Sequence, residues 1–193
     1  MIGSYGNASS TPRVRRGTRE RLAAFLVGLG LVCAGAARAD QGRYLDTVEF
    51  LDLAFYDAAP QSTALWIDDG LRASIESLLG HRYGALRIRY WKQGEKSAWI
   101  LDEIGKEQPI TIGVTVVAGA VDMVRVLEFR EPRGWEIRHP FFTDQFAGVR
   151  VDADRQIDRA IDGITGATLS VAAVTRAVKL ALFLSDQVGR RPS

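Results

Sequence analysis

The residues whose types and spacing suit chemistry lie together in one run, Asp162-Gly163-Ile164-Thr165-Gly166-Ala167-Thr168-Leu169-Ser170. The run reads as a tight turn that opens an apolar helix starting at Thr168. The first-turn N–H groups of a helix have no partner within it and form a ready phosphate site. Gly166 and Ala167 are small enough to let a phosphate approach the backbone, and Thr168 puts a hydroxyl at that same point. A phosphate esterified there would sit at the positive end of the helix dipole. The same residues also suit a plain structural role, with Thr165 or Thr168 as an N-cap, Gly166 as a turn residue and Asp162 as a local turn acceptor. The run is not a Walker loop, because it holds no Gly-Lys-Thr/Ser.

Composition narrows what such a site can do. The chain has 193 residues and one cysteine, Cys33. Arg13, Arg15, Arg16, Arg19 and Arg21 precede an uncharged apolar run, Leu22 to Ala37, and Ala37-Arg38-Ala39 ends in small residues. This is the three-part pattern of a secretory signal, with cleavage expected after Ala39. An uncleaved membrane anchor is the alternative, although the run is shorter than the roughly 20 residues that span a bilayer. Residues 1–39 are therefore read as a leader, 40–188 as one domain and 189–193 as a tail, and the protein is expected outside the cytoplasm or in the periplasm. Removing the leader takes away six basic residues and Glu20, which moves the formal net charge from +2 to about −3. A nucleic-acid partner then has no electrostatic basis. Cys33 leaves with the leader, which excludes disulfides, iron–sulfur clusters and cysteine nucleophiles. His81 and His139 stand apart in sequence, without metal spacing, and read as surface or packing residues. Redox chemistry on such a chain needs an added organic cofactor.

The elements that must position the turn follow from periodicity. Tyr44, Val48, Leu51 and Phe55 fall near helical spacing, though Val48 to Tyr56 suits a strand equally well. Asp68 or Asp69 caps a helix carrying Leu71, Ile75, Leu78 and Leu79, which Gly80 stops. Leu86 to Tyr90, Ala98 to Leu101, Ile110 to Val116 and Val121 to Phe129 read as strands, the last two as a hairpin around Ala118-Gly119-Ala120. Of Tyr90, Trp91, Trp99 and Trp135, most are assigned to core packing. Glu131 to Val149 reads as an ordered loop with a short helix. The last helix, Thr168 to about Ser185, is apolar on most sides and must be buried against the sheet. The expected fold class is α+β, a mostly antiparallel sheet packed against helices.

Asp-x-x-Thr-Gly-Ala-Thr before a helix resembles the flavinylation motif of the FMN-binding domains. These occur in the C subunit of the sodium-pumping NADH:quinone reductase and in the G subunit of its Rnf relative. Further segments agree over 110–185. Glu131-Pro132-Arg133-Gly134 is similar to the family's Glu-Thr-Pro-Gly, displaced by one residue, and Phe142, Gln145, Phe146 and Gly148 are similar to its Phe-x-x-Gln-Phe-x-Gly. The resemblance implies a covalent FMN, joined by a flavin transferase through its phosphate to Thr168, with magnesium used in the transfer. It implies that Thr165, Gly166 and Ala167 shape the phosphate pocket and that Glu131 and Gly134 belong to the cofactor site. A carboxylate beside a phosphodiester repels it unless a cation intervenes, so Asp162 is read as a transient magnesium ligand.

No nucleophile pair, general base or substrate signature accompanies this turn. The reading is an electron carrier within an oxidoreductase system, receiving from a membrane donor and giving to an acceptor outside the cytoplasm. Trp135, Phe142 and Phe146 are candidates to pack on the isoalloxazine ring. Two other classes stay open: a flavin-dependent reductase of a small acceptor, and a cofactor-free binding or sensory module.

Overall fold

The computed structural model describes residues 42–56 and 60–190; the expected leader and the last three residues of the tail lie outside them. Five strands form one antiparallel meander in the order β1-β2-β3-β4-β5: Thr63–Trp66, Arg87–Gln93, Lys96–Ile104, Pro109–Val117 and Ala120–Phe129. Helix α1 spans Thr47–Phe55, α2 spans Asp69–Leu79, the single-turn α3 spans Pro140–Thr143 and α4 spans Thr168–Arg190. The α+β expectation and the hairpin of β4 and β5 match this architecture.

Alternation along the strands divides the side chains between two faces. Trp99 and Leu101 of β3, Ile110, Ile112, Val114 and Val116 of β4, and Val124 and Val126 of β5 form the main core with α2 and α4. On the other face, Trp91, Ala98 and Leu127 pack against Phe50, Leu51, Ala54 and Phe55 of α1. A β-bulge makes this division possible in β5. Thr111 pairs with Glu128 and Ile112 with Val126, which leaves Leu127 out of the ladder. The bulged residue turns its side chain to α1, and its carbonyl accepts the backbone N–H groups of Tyr44 and Leu45 at 2.7 and 3.2 Å.

Local chemistry accounts for the helix ends. Asp46 and Glu49 form a capping box on α1, with bonds of 2.9 and 2.8 Å, which decides the region that periodicity leaves between helix and strand. Asp68 caps α2 through the Leu71 N–H at 2.8 Å, and Gly80 ends it in the left-handed conformation. Two features depart from the sequence reading. The four-residue β1 lacks the length and alternation that mark a strand, and its pairing to β2 creates it. Helix α4 runs past Ser185 to Arg190, taking in Gly189 of the expected tail, because Val188 still packs in the core. The loop expected over Glu131 to Val149 contains α3 flanked by 3-10 turns at Trp135–Arg138 and Asp144–Phe146.

Gly113 sets how closely α1 approaches the sheet. A Cβ at Gly113 would lie 2.5 Å from Phe50 Cε2 and 2.7 Å from Leu127 Cδ1. Gly113→Val is therefore expected to destabilise the fold by about 1–3 kcal/mol through overpacking. Urea denaturation measures this, and an unchanged midpoint would contradict the close seating of Phe50.

Candidate functional site

Helix α4 starts at Thr168 and differs from α1 and α2 at its N-terminus. Ala167 precedes it in the capping position and has no side-chain acceptor to offer. Thr165 and Thr168 are both exposed, and neither caps α4 through its side chain among the described residues. The turn leading in is closed by Ala167 N–H donating to the Ile164 carbonyl at 2.9 Å, with Gly166 at φ +82°. A residue with a side chain is strained at that angle, so glycine suits the turn. The first-turn amides of a long buried helix thus face outward without a side-chain partner.

They open on a cavity of about 470 Å³ lined by Gly166, Ala167, Thr168, Leu169 and Ser170 on one side. Residues 106–108 and 131–133 form the other. That volume lies within the range of small-molecule and cofactor sites. A second cavity, of about 410 Å³, lies along the C-terminal half of α4 beside Lys179, Phe183 and Asp186 and contains none of the motif residues.

Glu131 builds the wall opposite Thr168. Its Oε1 accepts the backbone N–H groups of Lys106, Glu107 and Gln108 at 2.5, 2.9 and 3.2 Å. A Cβ on Gly105 would stand 2.6 Å from that oxygen, so glycine is required for the turn to close on the carboxylate. Burial alone would raise the Glu131 pKa. The Glu107, Gln108 and Lys106 amides, helped by the Lys106 ammonium, outweigh it and hold the carboxyl below its ordinary value. Gly134 sits behind the wall at φ +90°, where a Cβ would lie 3.0 Å from Ser170 Oγ and 3.3 Å from Ala167 Cβ. Its lack of a side chain lets the 131–134 segment pack on the start of α4.

The structure therefore brings Gly166, Ala167, Thr168 and Glu131 around one cavity, with Gly134 directly behind. Thr165 lies within the turn and Asp162 before it, both exposed and outside the lining. Asp162 is fixed by its backbone, whose N–H donates to Gln145 Oε1 at 2.7 Å. Among the described residues no group of three His, Cys, Asp or Glu side chains gathers there or elsewhere as a metal site. Of the three aromatics considered for ring packing, Phe142 and Phe146 are fully buried and meet edge to face at 5.5 Å. They belong to the core because their short helical segment packs on β5. Trp135 is 42% exposed and stands outside the core. It stands next to Gly134 and meets His139 edge to face at 5.4 Å.

Sequence reasoning missed a buried ionic cluster that anchors the middle of α4. Glu103 is 2% exposed; its Oε2 accepts Arg176 Nε at 2.8 Å and lies 3.2 Å from His81 Nε2. Arg176 also donates to the Ile104 carbonyl at 2.8 Å. The Arg82 carbonyl raises the His81 pKa above 6.5; burial opposes it, and Glu103 adds to the rise. Burial, followed by the charges of Glu103 and Asp102, pushes Tyr83 up to about 12. The available signal was Arg176 itself, which with Lys179 supplies the two cations of the otherwise uncharged stretch from Thr168 to Ser185.

The Glu131 geometry predicts a pH dependence. A carboxyl with a lowered folded pKa contributes stability above its unfolded value and loses it as pH falls through the folded value. Glu131→Gln is expected to cost roughly 1 kcal/mol at pH 7, since one acceptor of three amides loses its charge in a partly solvated setting. The gap between parent and variant should close below the lowered pKa, as urea melts at stepped pH would record. A gap that is constant with pH would rule out the charged contact as its source.

Comparison with curated proteins finds no match for the chain. The model of the FMN-binding domain family matches residues 105–182, a stretch that begins in the turn held by Glu131 and takes in both walls of the cavity, so this part of the chain is similar to an FMN-binding domain.

Proposed function

We propose that this chain is an exported electron-transfer flavoprotein that carries one FMN in phosphoester linkage to Thr168. One observation carries the reading. Within the stretch similar to an FMN-binding domain, an exposed threonine hydroxyl stands at the start of a long helix that no side chain caps, facing a cofactor-sized cavity. A capping role for Thr168 would need the helix to begin after it, and α4 begins at it.

The residues fit such a group. The amides of the first turn of α4 suit a phosphate, and the small residues Gly166 and Ala167 leave it room. Gly134 lets the opposite wall come close, and Glu131 holds that wall while its own carboxylate is engaged by three amides. Leu169, 52% exposed, offers apolar surface in the lining, and Trp135, 42% exposed, follows Gly134 in the chain. A bound FMN supplies one- or two-electron chemistry, and the protein's part is to orient it and limit its contact with water. A covalent tether keeps the cofactor in place outside the cytoplasm, where no flavin pool would replace it. The leader pattern over residues 1–39 supports export, and the resemblance of the motif supports a flavin transferase as the modifying partner. Asp162, just before the turn, is proposed to hold magnesium during that transfer. A membrane donor and an acceptor outside the cytoplasm complete the chain of electron flow.

The experiment is the intact mass of protein exported from a host with an active flavin transferase. A chain starting at Asp40, heavier by one FMN less water, is expected for the wild type, and Thr168→Ala should show no added mass. An unmodified wild type, with the transferase active on a control, would end the covalent reading. Asp162→Ala should slow flavinylation at least tenfold, the scale of losing one ligand contact worth about 1.4 kcal/mol. A wild-type rate would remove Asp162 from the transfer step.

A further inference from the structure

The cavity at Thr168 has four formally charged side chains in its lining, Lys106, Glu107, Glu131 and Arg133. Three of them are engaged. Glu131 accepts three backbone amides, which fixes its carboxylate on the 106–108 turn. Lys106 Nζ lies 3.5 Å from the Glu107 carboxylate. Arg133 alone has neither a hydrogen bond nor an ion pair with any described residue, and it is exposed in the cavity wall across from the start of α4. Its neighbours fix its backbone at that place. Pro132 has a restricted backbone, and Gly134, at φ +90°, seats the segment against Ser170 and Ala167.

From this arrangement we infer that Arg133 is the phosphate-recognition residue of the site, pairing its guanidinium with the phosphate of a flavin nucleotide lodged at Thr168. The inference rests on the FMN reading above and deepens it. The helix end supplies partial positive charge and short amide donors from one side. A guanidinium on the opposite wall supplies a full charge and a planar pair of donors that matches two phosphate oxygens. An anion held between them meets donors on both sides, whereas Glu131 is turned into the wall and Glu107 is offset by Lys106. The class of ligand follows: a flavin carrying a phosphate is preferred over one that ends in a hydroxyl. Arg133 thereby sets specificity and is not a catalytic residue, since it touches the phosphate and not the redox-active ring.

The test compares FMN with riboflavin, which differ in this phosphate. Full-length apo-protein, made without the transferase, is titrated with each flavin, following flavin fluorescence. The parent should bind FMN more tightly than riboflavin. Arg133→Gln should weaken FMN about tenfold and leave riboflavin unchanged, as loss of a solvent-accessible charged pair with phosphate predicts. Arg133→Lys should recover part of the loss, because it keeps the charge without the fork. Equal weakening of both flavins would make Arg133 a merely structural residue and overturn the inference, as would unchanged FMN binding in Arg133→Gln or a parent that does not distinguish the two flavins. Intact mass after transferase treatment separates this from the covalent reading. A parent that gains the FMN mass yet shows no phosphate preference overturns Arg133 alone. A parent that prefers FMN through Arg133 yet gains no mass overturns only the covalent link.

Discussion

The packing of α4 across β3 and β4 governs where the site lies, because the first turn of that helix is one wall of the cavity. Ala173, Val174, Ala177, Val178, Ala181 and Leu184 are all fully buried. Small residues at these positions bring the helix close to the sheet, and many modest contacts add up. Burial of this kind is not directional, and an apolar helix on an apolar sheet is free to slide. The Arg176–Glu103 pair removes that freedom. A buried ion pair is weak evidence of net stability, since desolvation offsets most of its attraction, but it strongly favours the one register in which it forms. The Ser97 hydroxyl adds a second fixed point by donating to Ser185 at 3.0 Å. With α4 held at both points, Thr168 stands at the cavity mouth.

The opposite wall uses different physics. It is made of exposed turns with little apolar area to bury, and hydrogen bonds must hold it. Glu131 gathers three amides that would otherwise point to water, which joins the β3–β4 turn to the segment after β5. Two glycines make room for the join, Gly105 beneath the carboxylate and Gly134 against α4. A site built this way combines a rigid wall from the core with a wall that depends on one charge. The same geometry lets an acidic residue stand beside the proposed phosphate site, because its charge is directed into the turn.

The motif was legible because turns and helix starts are local. Asp68 and Gly80 announce α2, and the alternation from Ile110 to Val116 announces β4. The glycine turn before Thr168 is readable in the same way. Other features depend on distant partners. A strand as short as Thr63–Trp66 exists only through its pairing with β2. The burial of Phe142 and Phe146, and the exposure of Trp135, depend on how the segment after β5 folds back on the sheet. Aromatic content alone does not distinguish the two outcomes.

By itself, the sequence determined the α+β class, the hairpin, the caps of α2 and the position of a phosphate-suited helix start at Thr168. Each of these depends on residues within a few positions of one another. Only the tertiary structure decided that Glu131 serves the wall of the cavity, that Gly134 lies behind Ala167, that Arg176 pins α4 through Glu103, and that Arg133 faces the cavity without a carboxylate. Those relations join residues 23 to 73 positions apart. They exist because burying α4 on the sheet leaves one place for its first turn, and the exposed turns close around it.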